Sequence, residues 1–140
     1  MRSFLDTNVL VYLFDRDAPE KRASARRLIE REVTTGLAVL STQVLQEFYV
    51  VVTRKLADPM EPAAAERAVK ELAALPIVQT DTTLVLSGIA RSRRDGFSLW
   101  DALIIEAALV GGCDRLYTED LQHGRRVEGL TIENPFQGAP

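Results

Sequence analysis

The chain has 140 residues, 17 basic and 20 acidic side chains, a formal net charge of −3, and is 46% hydrophobic and 26% charged. That balance excludes a fibrous, low-complexity or disordered chain and fits one domain, residues 1–140, able to bury a single core without staples. The one cysteine, Cys113, excludes an internal disulfide. With no apolar window near the ~20 residues that span a bilayer, and no signal-like start, a soluble cytoplasmic protein is expected.

In chain order, "SFL" reads as a first strand running into Asp6, and Thr7 through Phe14 continues as a helix. After "DAP", with Asp17 placed to cap and the proline suited to a first turn, "EKRASARRLIEREV" is an amphipathic helix ending before Gly36. "LAVLS" is a second strand and "TQVLQEFYVVVTRKL" a helix with a buried face. "DPMEP" breaks the chain, "AAAERAVKELAAL" is helical, and "PIVQT" forms a third strand. "TTLVLSGIARSRRDG" is a helix with basic residues in its last turn and Gly96 beyond it. "FSLWDALIIEAALVGG" is an apolar helix opened by Ser98. Cys113 enters the buried strand region, "RLYTED" supplies a fourth strand and "LTIENP" a fifth.

Strands separated by helices imply right-handed parallel crossovers. The expected architecture is therefore α/β, a three-layer α/β/α sandwich around a mainly parallel sheet of about five strands. In such sheets ligands bind outside the carboxyl ends of the strands.

Four acids fall at that edge or beside it. Asp6 ends the first strand, Asp120 follows the fourth, Asp101 lies in the first turn of the apolar helix, and Glu47 lies in the second turn of the helix after strand two. Each has a structural alternative. Asp6, Thr7 and Asn8 are all helix-capping types, Asp101 suits a helix dipole, and Asp120 and its neighbour Glu119 suit a turn. Glu47 flanks the stripe of Val44, Leu45, Phe48, Val51 and Val52 and points at the edge of the core. Taken together, oxygen-only ligands at one strand edge suit a hard divalent cation, Mg²⁺ or Mn²⁺, which would relieve their mutual repulsion. Elimination agrees. His123 is the only histidine, which leaves no material for paired-His or His-rich zinc chemistry, and nucleophile-elbow, P-loop and dinucleotide fingerprints are missing.

The segments "FLDTNVLVYLFD", "STQVLQEFYVVVTRKL", "FSLWDALIIEAAL" and "LYTEDLQHG", in this order and spacing, resemble PIN-domain proteins, specifically VapC-like ribonuclease toxins of type II toxin–antitoxin pairs. The resemblance spans nearly the whole chain. It implies that Asp6, Glu47, Asp101 and Asp120 form an acidic catalytic quartet. Asp6 and Asp101 are then the direct ligands of Mg²⁺, with Glu47 and Asp120 serving a second ion or acting through water. Thr7, Asn8 and Thr118 match the polar positions that orient this quartet. The implied reaction is hydrolysis of RNA by metal-activated water to a 5′-phosphate product.

The resemblance also implies a small cognate antitoxin and a homodimer, for which the apolar face of "AAAERAVKELAAL" and its neighbouring helices is a plausible interface. Arg91, Arg93 and Arg94, and a second patch of Arg22, Arg26 and Arg27, are the expected RNA contacts, although arginines near the first helices suit an antitoxin equally. Two other readings stand beside the nuclease. One is a haloacid-dehalogenase-like phosphatase with Asp6 as nucleophile, for which Asn8 occupies the place of a required second Asp. The other is a non-catalytic PIN-like protein-binding scaffold.

Overall fold

Strand β1 (Arg2–Leu5) sits in the middle of the sheet because Phe4 and Leu5, adjacent and fully buried, need cover on both faces at once. The computed structural model describes residues 1–137. Beyond β1 come α1 (Thr7–Val11), a 3-10 turn over Tyr12–Phe14, α2 (Pro19–Thr34), β2 (Ala38–Ser41) and α3 (Thr42–Arg54). They are followed by α4 (Pro62–Leu72), β3 (Ile77–Val78), α5 (Thr82–Asp95), α6 (Leu99–Val110), β4 (Cys113–Tyr117), β5 (Arg126–Val127) and β6 (Leu130–Glu133).

The sheet order is β3-β2-β1-β4-β6-β5, parallel throughout except for the β5–β6 pair. From β1 the chain steps outward to β2 and β3, so right-handed crossovers put α1 to α4 on one face. It then crosses back past β1 to β4, so α5 and α6 cover the other. The result is the expected three-layer sandwich, with a topological switch point between β1 and β4.

Several local details differ from the sequence reading, each for a local reason. The sheet has six strands among the described residues instead of about five, because Arg126–Val127 folds back on β6 through a two-residue turn. Glu128 (φ 49°) and Gly129 (φ 86°) are both left-handed there, the conformation tight hairpins demand. The first helix tightens to 3-10 geometry at Tyr12. Asp17 does not cap α2. Ala18 holds the cap position without a side-chain bond, Pro19 follows it, and Asp15 instead accepts the Asp17 N–H at 3.0 Å. The third strand shrinks to Ile77–Val78 because Thr80 turns its N–H to the Thr42 hydroxyl at 2.9 Å.

Other expectations hold. Ser98 caps α6 by accepting the Asp101 N–H at 3.1 Å, and Gly96 closes α5 at φ 79°. Cys113 is buried at the start of β4. Close approach of α5 and α6 explains Gly88: a Cβ there would lie 2.6 Å from the Leu103 side chain.

Arg91, expected as an RNA contact, is instead structural. It is buried at 4% exposure, with Nε 2.5 Å from Glu106 of α6, Nη1 3.0 Å from Asp95, and Nη2 on Glu128 of the hairpin turn. One guanidinium thus ties α5, α6 and the β5–β6 turn, and it is withdrawn from any RNA surface.

Removing one partner from a buried ionic cluster strands the others. Arg91→Met is therefore expected to lower stability by about 3 kcal/mol in urea unfolding. The exposed neighbours Arg93→Met and Arg94→Met should stay within about 0.5 kcal/mol of the parent.

Candidate active site

The parallel register pairs Leu5 with Tyr117, so the residues that follow, Asp6 and Thr118, leave the sheet side by side. The Asp6 N–H continues the ladder to the Tyr117 carbonyl at 3.0 Å, and the Thr118 N–H reaches the Glu133 carbonyl at 3.0 Å. Both residues are buried, Thr118 completely.

Thr118 is the hub of the site. Its hydroxyl donates to Asp6 Oδ2 at 2.8 Å and accepts the Asp120 N–H at 3.1 Å and an Asn8 amide N–H at 3.1 Å. The Asn8 amide also reaches Asp120 Oδ2 at 3.1 Å and Asp6 Oδ2 at 3.5 Å, while its Oδ1 accepts the Glu119 N–H at 3.2 Å. Asp6 Oδ1 accepts the Thr7 N–H at 2.7 Å, so Asp6 itself caps α1. Thr7 therefore serves through its backbone. Its hydroxyl is buried with no partner among the described residues.

The other two acids come from opposite layers. Asp101 is half-buried at the start of α6, and Glu47 is exposed on α3, outside the core edge where the helical stripe predicts it. Gln43, one turn before Glu47, joins them: its amide donates to Glu47 Oε1 at 2.7 Å and to the Trp100 carbonyl at 3.3 Å, next to Asp101. The i, i+4 spacing of Gln43 and Glu47 was the available sign of this role.

Electrostatics ties the acids together. Burial, with smaller contributions from the charges of Asp120 and Glu47, raises the Asp6 carboxyl to about 7 against the hydrogen bonds from Thr118 and Thr7. Burial likewise raises Asp101, against its Ser98 hydrogen bond, with Asp120 adding to the shift. None of the four acids forms an ion pair among the described residues. Glu119, their neighbour, is different: Lys21 lies 2.9 Å from it and the Tyr12 hydroxyl donates to it at 2.5 Å.

A donor set made only of carboxylates, one of them buried without a counter-charge, fits a hard divalent cation. Among the described residues no three His, Cys, Asp or Glu side chains already stand close enough to grip one. His123 is exposed, and its Nδ1 accepts the Asn134 N–H at 3.0 Å, a structural bond.

The remaining arginines lie outside this network. Arg26 and Arg27 are exposed on α2, Arg22 is half-buried in a cleft with Arg16 and Asp58, and Arg93 and Arg94 are exposed near the end of α5. No helix among the described residues is long and apolar enough to cross a membrane.

Fold and site together define an α/β/α protein with acids gathered at the switch point of a parallel sheet. The PIN-domain sequence profile matches residues 3–128, and the chain belongs to the PIN-domain family. Solved structures share the fold along most of the chain. A toxin–antitoxin complex from Klebsiella pneumoniae is 19% identical, with coverage of 96% of this chain and 98% of its own and a TM-score of 0.71. The sarcin-ricin-loop-cleaving toxin VapC20 of Mycobacterium tuberculosis is 18% identical, with coverage of 84% and 91% and a TM-score of 0.66. VapBC2 from Rickettsia felis, bound to a promoter DNA fragment, is 19% identical, with coverage of 96% and 98% and a TM-score of 0.66. A comparison with curated proteins returns no match.

The raised Asp6 carboxyl has a thermodynamic consequence. Between pH ~4 and ~7 the folded chain keeps a proton that the unfolded chain releases, so stability without metal falls as pH rises through that window. The shift from 3.8 to about 7 corresponds to on the order of 4 kcal/mol at 1.36 kcal/mol per unit. Urea unfolding in EDTA should show this decline in the parent and a much flatter profile in Asp6→Asn. Equal slopes would contradict the assignment.

Proposed function

We propose that this PIN-domain protein is a Mg²⁺-dependent endoribonuclease, the toxin of a toxin–antitoxin pair, held in check by a small antitoxin. The observation that carries the reading is the set of four acids with no cationic partner at the sheet's switch point, where the charges of Asp120 and Glu47 help raise Asp6 and that of Asp120 helps raise Asp101. The relatives support it as well, since one cleaves the sarcin-ricin loop and others are toxin–antitoxin assemblies.

Asp6 and Asp101 would hold the cation, with Asp120 and Glu47 at its flank or on a second ion, and Mn²⁺ would substitute. When bound, the cation supplies the Lewis acidity that activates water and offsets charge on phosphate oxygens. The chain's own residues do the positioning. Thr118 and the Thr7 backbone N–H fix the Asp6 carboxylate, Asn8 spans Asp6 and Asp120, and Gln43 aims Glu47. Glu47 and Asp120, both exposed, are the residues free to take a proton from attacking water.

A phosphatase using Asp6 as nucleophile fits less well. Both Asp6 oxygens already accept hydrogen bonds, and Asn8 donates to Thr118 and Asp120, which a carboxylate in its place has no proton to do. A homodimer is part of the proposal. An apolar cleft of about 410 Å³ lies between α3 and α4, lined by Leu45, Tyr49, Val50 and Val69.

Purified protein should cleave structured RNA with Mg²⁺ or Mn²⁺ and stop in EDTA. Asp6→Asn and Asp101→Asn should each lose at least ~100-fold in rate, and Thr118→Val, which touches the cluster only through hydrogen bonds, ~10–100-fold. Cleavage persisting in EDTA or in both Asp variants would falsify the assignment. For the dimer, Val50→Asp should halve the mass seen by light scattering, and an unchanged mass would remove this face from consideration.

A further inference from the structure

An acidic site repels the phosphates it must act on, so a substrate strand needs cations close to the quartet but outside it. Of the α2 arginines offered by sequence, Arg22 and Arg26 are not on the face that borders the site, and Arg27 lies at its rim. That face is marked by Lys21, Ser24, Leu28 and Arg31, spaced at three, four and three residues. Lys21 meets Glu119 next to Asp120, Leu28 is buried, and Arg31 meets Tyr117 of β4. From Lys21 to Arg31 the helix rises about 15 Å.

Alongside this face opens a cleft of about 540 Å³ whose polar lining includes Ser24, Arg27, Arg31, Arg115, Tyr117 and Glu133. Its geometry is specific. The Tyr117 hydroxyl accepts from Arg31 Nη2 at 3.3 Å and Arg115 Nη1 at 3.0 Å, pinning two like-charged guanidinium groups side by side. The same hydroxyl turns its proton toward Glu32, a buried acid, at 3.5 Å. Arg31 has one carboxylate contact, to Glu32 at 3.4 Å, and Arg115 one, to Glu133 at 3.5 Å. Each guanidinium carries five N–H donors, so most remain free. The contrast with Arg91, enclosed by three carboxylates, is direct.

Tyr117 immediately precedes Thr118, the residue that holds Asp6. Side chains alternate along a strand, so what joins the cleft to the quartet is α2, whose Lys21 meets Glu119 beside Asp120 about 15 Å along the helix from Arg31. We propose that Arg31 and Arg115, with Arg27 at the rim, form a phosphate-binding subsite for a single-stranded RNA whose scissile bond lies at the acidic quartet. This rests on the nuclease reading and extends it to the path of the substrate. Planar guanidinium forks match phosphate oxygens. The cleft also lacks the apolar centre that protein interfaces build on, since its lining is chiefly arginine, serine, tyrosine and glutamate.

The test is fluorescence anisotropy of a labelled single-stranded oligoribonucleotide in EDTA, over a salt titration. The double variant Arg31→Gln/Arg115→Gln should weaken binding at least 10-fold at low salt. Its log K against log salt slope should fall by about 1.4, two phosphates at ~0.7 each. Arg31→Lys/Arg115→Lys should recover the slope and only part of the affinity, and Arg67→Gln, on exposed α4, should match the parent. An unchanged affinity and slope in the glutamine pair, in a parent that cleaves RNA, overturns the subsite and leaves the nuclease reading intact. A parent that neither binds nor cleaves RNA overturns both. If the glutamine pair loses binding only to an oligoglutamate peptide, the cleft serves an acidic protein and the proposal fails.

Discussion

Asp6 is held in the crevice between β1 and β4 by a hydroxyl and a backbone N–H, with the charges of Asp120 and Glu47 acting on it and no cation opposite. Burying a carboxylate this way disfavours its charged form by several kcal/mol, and hydrogen bonds offset only part of that. The molecule contains its own comparison. Arg91 is equally buried, yet three carboxylates surround it and it serves only to clamp helices and hairpin. A buried charge that is fully answered belongs to the scaffold, and one left unanswered marks the place where something else is meant to bind.

The sheet order explains why that place exists. Steps from β1 to β3 run one way and the return to β4 runs the other, so helices part on either side of the β1–β4 seam. Each source contributes acids: β1 and β4 deliver Asp6 and Asp120 directly, α3 brings Glu47 from one layer, and α6 brings Asp101 from the other. Thr118 and Asn8 lock the strand-borne pair, and Gln43 links the helix-borne pair through the start of α6. The arginine-lined cleft at Tyr117 runs along α2, whose first turn meets Glu119 beside Asp120.

Much of this was legible in the sequence because it depends on period and order. Apolar runs alternating with amphipathic stretches are enough to indicate the parallel sandwich, and the rule about carboxyl ends locates Asp6 and Asp120. What escaped depends on contacts between distant residues. Nothing in "RSRRDG" distinguishes Arg91 from Arg93 and Arg94; only the approach of Glu106 and Glu128 separates them. Strand β5 is two residues long in an arginine-rich stretch, too short to display a period. Arg31 and Arg115 meet on one tyrosine although 83 residues of chain lie between them, a pairing no local pattern contains.

The seam between β1 and β4 also sets an order in time. During synthesis β1 and β2 emerge early, but the slot beside β1 stays empty until β4 has left the ribosome. Until then Asp6 lacks its Tyr117 and Thr118 partners, and Asp120 does not exist. In a nascent chain the acidic site therefore cannot assemble until Thr118 and Asp120 have been made and β4 has docked beside β1.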